Sequence, residues 1–440
     1  MTKVEKKIFD FFQKNILWWL FAAVTALGVG LRLCGIDYLS DDYNSFLLPW
    51  WQVIEAYGAD GLSMQVGNYN IPYQILIYVF TQLPLGPLYS YKLLSIIFDV
   101  ILAFAAALLV KDFCTNNVKV KCLLAYSIVF CSIIVVFNSG FWGQCDSIYT
   151  SFVLLAIHFL RKEKNVLSFI MLGLAFAFKL QFVFILPLFL FYYVLTRKVS
   201  ILHFLIVPAT NIVVCLPAII MGRSIVDTFA IYFGQMETSL WLHMNFPSIW
   251  AFVVTPFSPS GFDYLKNFSI LLTFAVLLVT LVMMMYKKAD IRKPENFMLT
   301  AIFTVFTCVI FLSSMHERYA YMLEILLIIY LMMNKKSLWI CLACHLVTLR
   351  GYSYYLWQYE PVTINIAALV YFAVYVYVAY LFAKTVIFCK KDEVAQVNET
   401  QQETETKSEE IGEIFEETEN ETEEVEVFTQ ETSPVETPIV

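Results

Sequence analysis

Apolar runs of about twenty residues recur along this 440-residue chain, and they decide what it can fold into. Residues 16–33, 88–110, 201–221, 265–286 and 364–388 are each long enough to cross a hydrocarbon layer of roughly 30 Å as a helix. Apolar residues make up 60% of the chain and charged ones 15%, whereas a soluble domain averages roughly 45–50% and 25%. That surplus needs lipid as its solvent. The fold class expected is an all-α polytopic membrane protein.

Charge then orients the chain. Seventeen of the 36 acidic residues and one of the 29 basic ones lie beyond Lys391, leaving 28 basic against 19 acidic side chains, a net +9, in residues 1–391. The segment 391–440, rich in Glu and Thr, has too little apolar area to offset its chain entropy and reads as a disordered acidic tail. Basic clusters mark cytoplasmic loops. They recur at Lys111/Lys119/Lys121, Arg161/Lys162/Lys164, Arg197/Lys198, Lys287/Lys288/Arg292/Lys293, Lys335/Lys336 and Lys390/Lys391. The N-terminal lysines, in a cytoplasmic segment 1–14, hold the first helix as an uncleaved anchor. Both ends are then cytoplasmic, and the tail sequons at Asn398 and Asn420 face away from any glycosylating compartment.

Threading helices between these anchors gives a transmembrane domain over 15–390 with about twelve crossings, in a range of 10–13. They fall near 15–34, 88–110, 122–138, 147–160, 165–178, 182–196, 201–221, 264–286, 297–314, 319–333, 337–349 and 363–388. The pairs 165–178/182–196 and 319–333/337–349 are short for full crossings. The outer face carries long loops at 35–87 and 222–263, with shorter ones at 139–146, 179–181, 315–318 and 350–362. Within the first loop, 46–56 and 73–83 are expected as interfacial helices. The ten cysteines show no pairing pattern and read as small packing residues.

Polar residues that call for explanation collect on that outer face. Met315-His316-Glu317-Arg318-Tyr319 places four polar side chains between two apolar helices. Charges there are costly and are by default functional or mutually paired. Adjacent helix residues do not face each other, so Glu317 and Arg318 each need a further partner. Asp41-Asp42-Tyr43 offers adjacent carboxylates able to act as a general base or to ligate a hard metal; an Asx turn or N-cap is the plainer account. Gly140-Phe141-Trp142-Gly143-Gln144-Cys145-Asp146 ends in a carboxylate that capping would explain, though capping gives no reason for Trp142, Gln144 and two glycines. In Phe178-Lys179-Leu180-Gln181 an outer lysine breaks the positive-inside trend, which favours an anionic ligand over simple snorkelling. His158, His203 and His345 read as packed, while His243 is undecided.

The chain has no glycine-rich nucleotide fingerprint, Walker lysine loop or zinc motif, and no soluble cytoplasmic domain to hold a nucleotide sugar or ATP. Nothing points to a nucleic-acid partner. Substrates would come from the lipid or from outside.

With these motifs and Gly67-Asn68-Tyr69-Asn70-Ile71-Pro72-Tyr73 in hand, the chain resembles the multi-spanning GT-C glycosyltransferases. The likeness is strongest to the prokaryotic membrane proteins related to the GPI mannosyltransferase that adds the second mannose. The resemblance implies a GT-C-like bundle in the cell membrane with its active site extracytoplasmic. It implies transfer of a hexose, mannose foremost, from a polyprenyl-phosphate carrier to a hydroxyl of a glycan, lipid-linked or protein acceptor. The base carried over is Asp42, with Asp41 the alternative. Arg318, His316 and Lys179 are the candidates to meet the leaving phosphate, with Tyr43, Gln144, Asp146, Gln181, Glu317 and Tyr319 completing the substrate site. No cofactor is required; a divalent ion, if used, would fall to Asp41, Asp42 and Asp146. A transporter or flippase of lipid-linked sugars and a glycan polymerase or ligase are the competing readings, although no internal repeat favours the former.

Overall fold

Each apolar run becomes helix because lipid offers its backbone no hydrogen-bonding partner outside the segment. The computed structural model describes residues 1–237, 241–253 and 259–389. The acidic tail beyond Cys389 lies outside the described residues. Met1–Ile387 form one compact unit.

In chain order the helices are α1 (Lys3–Lys14), α2 (Ile16–Leu33), α3 (Leu48–Tyr57), α4 (Ile71–Thr81), α5 (Pro87–Phe113), α6 (Val118–Cys131), α7 (Ile133–Val136), α8 (Asp146–Arg161) and α9 (Asn165–Phe178). They continue as α10 (Leu186–Thr196), α11 (Ile206–Ile220), α12 (Asp227–Glu237), α13 (Pro259–Tyr286), α14 (Pro294–Phe311), α15 (Tyr321–Met333), α16 (Leu338–Trp357) and α17 (Ile364–Phe382). Two short strands, β1 (His243–Met244) and β2 (Met315–His316), pair in parallel. They tie the loop after α12 to the segment between α14 and α15.

Six described helices are long and apolar enough to cross a membrane: Ile16–Leu33, Pro87–Phe113, Ile201–Ile220, Ser260–Tyr286, Pro294–Phe311 and Ile364–Ile387. Counting Val118–Cys131 with Ile133–Trp142, which meet at a 45° bend, gives seven. The remaining expected crossings are helical, but α9 at 14 residues and α15 at 13 are too short to span by length alone, and α16, at 20 residues, is long enough but not apolar enough. The count of about twelve therefore stays an expectation. Helix α16 departs most from the sequence reading: it continues past residue 349 to Trp357, where Gln358 at φ 53° and ψ 29° ends it. Its last turns carry residues expected in a loop. Helix α4 differs as well. Ile71, Tyr73, Gln74, Ile77 and Phe80 are buried, packed between α5, α9 and α11.

One buried ion pair fixes how the first helices meet. Arg32, near the end of α2, donates from Nε to Asp99 Oδ2 at 2.9 Å and from Nη1 to the carbonyls of Gly28 and Phe130 at 2.7 and 2.9 Å. Both side chains are sealed, at 1% and 0% exposure. Gly140 lies against this arginine: a Cβ there would sit 3.0 Å from Arg32 Cα. Of the three histidines expected to be merely packed, two are paired, His158 with Asp112 at 2.5 Å and His345 with Glu324 at 2.6 Å, while His203 Nδ1 accepts from the Ser200 amide at 3.1 Å.

Removing one partner of a buried pair leaves an uncompensated charge, at a cost of about 3–5 kcal/mol. We predict that Arg32→Met lowers stability by that order, and that adding Asp99→Leu recovers much of it. Thermal unfolding of the detergent-solubilised protein is the check; equal losses in the single and double variants would contradict it.

Candidate active site

Helix α5 sets the first loop in place from both sides. Lys92 Nζ donates to the carbonyls of Gly35, Ile36 and Tyr38 at 2.7, 2.9 and 2.7 Å. One residue earlier, the Tyr91 hydroxyl donates to Leu47 O at 2.9 Å. Between these anchors Ser40 Oγ donates to Trp142 O at 3.2 Å and accepts from the Tyr43 amide at 3.2 Å. The stretch carrying Asp42 is thus pinned to the stretch carrying Trp142.

Asp42 turns inward, whereas Asp41 is exposed. Its Oδ2 accepts from Trp142 Nε1 at 2.8 Å and Gln144 Nε2 at 2.6 Å, and its Oδ1 from the Tyr355 hydroxyl at 2.5 Å. The Tyr355 ring stacks on Trp142 with centroids 4.0 Å apart. Gln144 Oε1 in turn accepts from Tyr69 at 2.9 Å. Tyr43 is buried next to this carboxylate as part of the core.

Asp146 opens α8 but does not cap it; Cys145 is the N-cap and makes no side-chain cap bond. The fully buried Asp146 carboxylate meets Lys179 Nζ at 2.5 Å through Oδ1, Asn138 Nδ2 at 2.9 Å through Oδ2, and Arg318 Nε at 3.4 Å. Lys179 follows the end of α9 in extended backbone and is itself buried, so it points into the bundle rather than snorkelling. The α8 N-terminus adds its partial positive charge.

Arg318 is shared. It lies 3.5 Å from Glu317 Oε1, and its guanidinium sits 5.2 Å from the Trp142 ring centroid. Among the described residues neither Arg318 Nε nor Glu317 Oε1 completes a hydrogen bond. Glu317 reaches this depth because Gly351 in α16 lets the loop approach: a Cβ there would stand 2.8 Å from Glu317 Cβ. Burial raises the Glu317 carboxyl to about 7; Arg318 opposes the shift, and Asp42 and Asp146 add to it. His316 is held below its usual value by burial and by Arg318 and Lys179, so at neutral pH it can donate one N–H but brings no charge. Gln181 and Tyr319 are close neighbours, and among the described residues Gln181 Oε1 is a buried acceptor without a partner.

Asp42, Gln144, Asp146, Lys179, Glu317 and Arg318 are therefore linked by these contacts, with His316, Gln181 and Tyr319 beside them. A cavity of about 220 Å³ opens at His316, lined by Gln181, Tyr319, Phe184, Lys266 and Ile270 among others. Asn138, which the sequence motif carries without a role, and Tyr352 and Tyr355, which no motif includes, join the site. Asn138 donates to the Tyr352 hydroxyl at 3.0 Å as well as to Asp146. Thr348, Tyr352 and Tyr355 fall at helical spacing, a signal available had α16 been extended. As arranged, the oxygens of Asp42 and Asp146 are taken by N–H and O–H donors and cations. Among the described residues no group of three His, Cys, Asp or Glu side chains gathers to hold a metal. This donor set does not fit a metal site.

The sequence matches the model of glycosyltransferase family 87 over residues 68–314, more than half of the chain. The chain belongs to glycosyltransferase family 87. It is a membrane glycosyltransferase, which sets aside the transporter and flippase reading. No curated protein matches it. The family 87 match takes in Gln144, Asp146, Lys179 and Gln181, while Asp41–Tyr43 and His316–Tyr319 flank it.

A carboxyl raised in the folded state contributes stability that is present below its unfolded value, near 4.3, and is lost as pH rises through about 7. Glu317→Gln, which mimics the protonated form, is expected to match the parent near pH 4.5 and to be the more stable protein at pH 8. Melting temperatures across that range read the difference; parallel curves would contradict it.

Proposed function

We propose that this glycosyltransferase moves a hexose, with mannose first in line, from a polyprenyl-phosphate carrier to an acceptor hydroxyl on the extracytoplasmic side of the cell membrane. The observation that carries the proposal is the Asp42 carboxylate, held by three donors, beside a buried cluster whose cations are incompletely balanced. Asp42 is the base in this reading, with Asp41 too exposed to share the role. Trp142, Gln144 and Tyr355 fix the carboxylate's orientation while leaving it able to accept the acceptor's proton as the new bond forms, a contribution of about 10²–10⁴-fold.

The leaving phosphate gains charge as the glycosidic bond breaks and needs fixed cations in a site of low dielectric. Lys179 is matched by Asp146. Arg318 is not matched to the same degree, because its contact with Asp146 lacks hydrogen-bond geometry and Glu317 is partly protonated at neutral pH. Its free donor capacity suits a phosphate oxygen, and the neutral His316 adds an N–H beside it. The mostly apolar cavity at His316 supports seating the lipid end of such a donor. Tyr43, Gln181, Glu317 and Tyr319 would hold sugar and acceptor hydroxyls, the unpartnered Gln181 Oε1 and Glu317 Oε1 being acceptors already in place. The basic clusters of the sequence support both termini being cytoplasmic and this site facing outward.

Asp42→Asn keeps the shape and removes the base. Purified variant incubated with radiolabelled polyprenyl-phosphate mannose is expected to lose transfer by at least about 10²-fold at unchanged protein level; retained activity would overturn the assignment. Tyr355→Phe keeps the stack on Trp142 and removes one donor to Asp42. A loss of about tenfold in kcat with little change in donor KM is expected, in line with one hydrogen bond to a charged group.

A further inference from the structure

Helix α1 is amphipathic, and among the described residues none of its side chains is buried. Val4, Ile8, Phe11 and Phe12 share one face at helical spacing, and they are 47–67% exposed. Lys3, Lys7 and Lys14 line one edge of that face, while Lys6, Asp10 and Gln13 occupy the opposite side. Glu5 is engaged in a capping box with Thr2: the Thr2 amide donates to Glu5 Oε2 at 2.6 Å, and the Glu5 amide to Thr2 Oγ1 at 3.2 Å. Among the described residues, the rings of α1 meet other rings only at Trp19 and among themselves, Phe12 lying 5.1 Å and Phe11 6.3 Å from Trp19.

Geometry restricts what can lie against this face. Helix α2 has 18 residues and so extends about 27 Å, barely the hydrocarbon thickness. It must use its whole length to cross, which places Trp18 and Trp19 at the boundary where indole rings settle. Only Asn15 separates α2 from α1, and its Nδ2 donates back to Phe11 O at 2.9 Å. Phe11 and Phe12, five and four residues before Ile16, therefore lie about one helical turn from the start of the crossing. The charge is also asymmetric: four lysines against Glu5 and Asp10 give α1 a net +2.

We propose that α1 lies in the plane of the bilayer surface, its apolar face in the acyl boundary and its lysine edge on anionic lipid headgroups. The inference goes beyond sugar transfer and stands or falls without it. Lipid of either charge would take the apolar face, whereas the edge of Lys3, Lys7 and Lys14 selects an anionic leaflet, at roughly fivefold in affinity per basic residue near the surface.

The test uses the full chain in lipid nanodiscs of phosphatidylcholine alone or with about 30% phosphatidylglycerol, read by amide hydrogen exchange. Exchange across residues 6–14 is expected to slow by at least about tenfold in the anionic discs, with α2 unaffected. Lys3/Lys7/Lys14→Gln should erase the difference between the discs, and Ile8→Asp with Phe12→Asp should remove protection in both. These positions are exposed, so neither variant disturbs the bundle. Equal protection of the parent in both discs would overturn the proposal. So would protection that grows with the number of copies per disc, because a second chain would then be the occupant.

Discussion

A carboxylate with no solvent at all must find its compensation within the bundle, and Asp146 does so by drawing four segments together. Lys179 comes from the end of α9, Asn138 from the π-helical turn 137–142, Arg318 from the loop before α15, and the α8 N-terminus from its own chain. None of these groups would be tolerable at this depth alone. Their mutual need sets the outer ends of the helices against one another, and the rest of the site is arranged around the result. Tyr352 is held through Asn138, Trp142 through its contact with the Arg318 guanidinium, and Asp42 through Trp142.

The same dependence explains why the framework beneath the site is polar where packing alone would favour Leu. Arg32 and Asp99 fix α2 against α5 and α6, and Arg32 presses on Gly140, one turn before Gln144. Lys92 places its ammonium under three carbonyls of the chain leading to Asp42. A buried ion pair gains little stability over a well-packed apolar pair, but it tolerates few alternative arrangements. In a bundle whose helices are otherwise uniformly greasy and able to slide, such pairs determine which residues end up facing each other.

The division between what the sequence disclosed and what it did not follows from that physics. Asp42, Gln144, Asp146, Lys179 and Arg318 stood out because charge and amide groups at the ends of apolar runs have no cheap explanation. Asn138 and Tyr352 did not, because a residue 214 positions from its partner leaves no local pattern. Tyr355 was hidden by the placing of α16's end: Arg350 looked like the start of a loop, yet its guanidinium pairs with Glu360 and reaches the Val362 carbonyl, and the helix runs on. Lys92 and Asp99 were lost inside the most apolar stretch of the chain, where hydropathy averages them away. In the first loop 46–56 and 73–83 read as interfacial helices, and nothing in their composition reveals that Arg223 binds Met64 O and Gln65 or that Ile71, Gln74 and Ile77 of α4 are buried.

The histidine of the Met315–Tyr319 motif shows how far composition can mislead about charge. In sequence, His316 beside Arg318 and opposite Lys179 looks like a third cation for an anionic substrate. In place, those two cations and partial burial disfavour its protonation, while the carboxylate next to it is pushed toward its neutral form. The site at neutral pH therefore holds two full positive charges, two firmly placed aspartates and one glutamate near its midpoint. In the proposed reaction, binding a phosphate beside Arg318 would raise the Glu317 carboxyl further, by like-charge repulsion, and take up a proton. Proton uptake and donor binding would then be linked, with Glu317 as the group that absorbs the charge a fixed ion pair cannot.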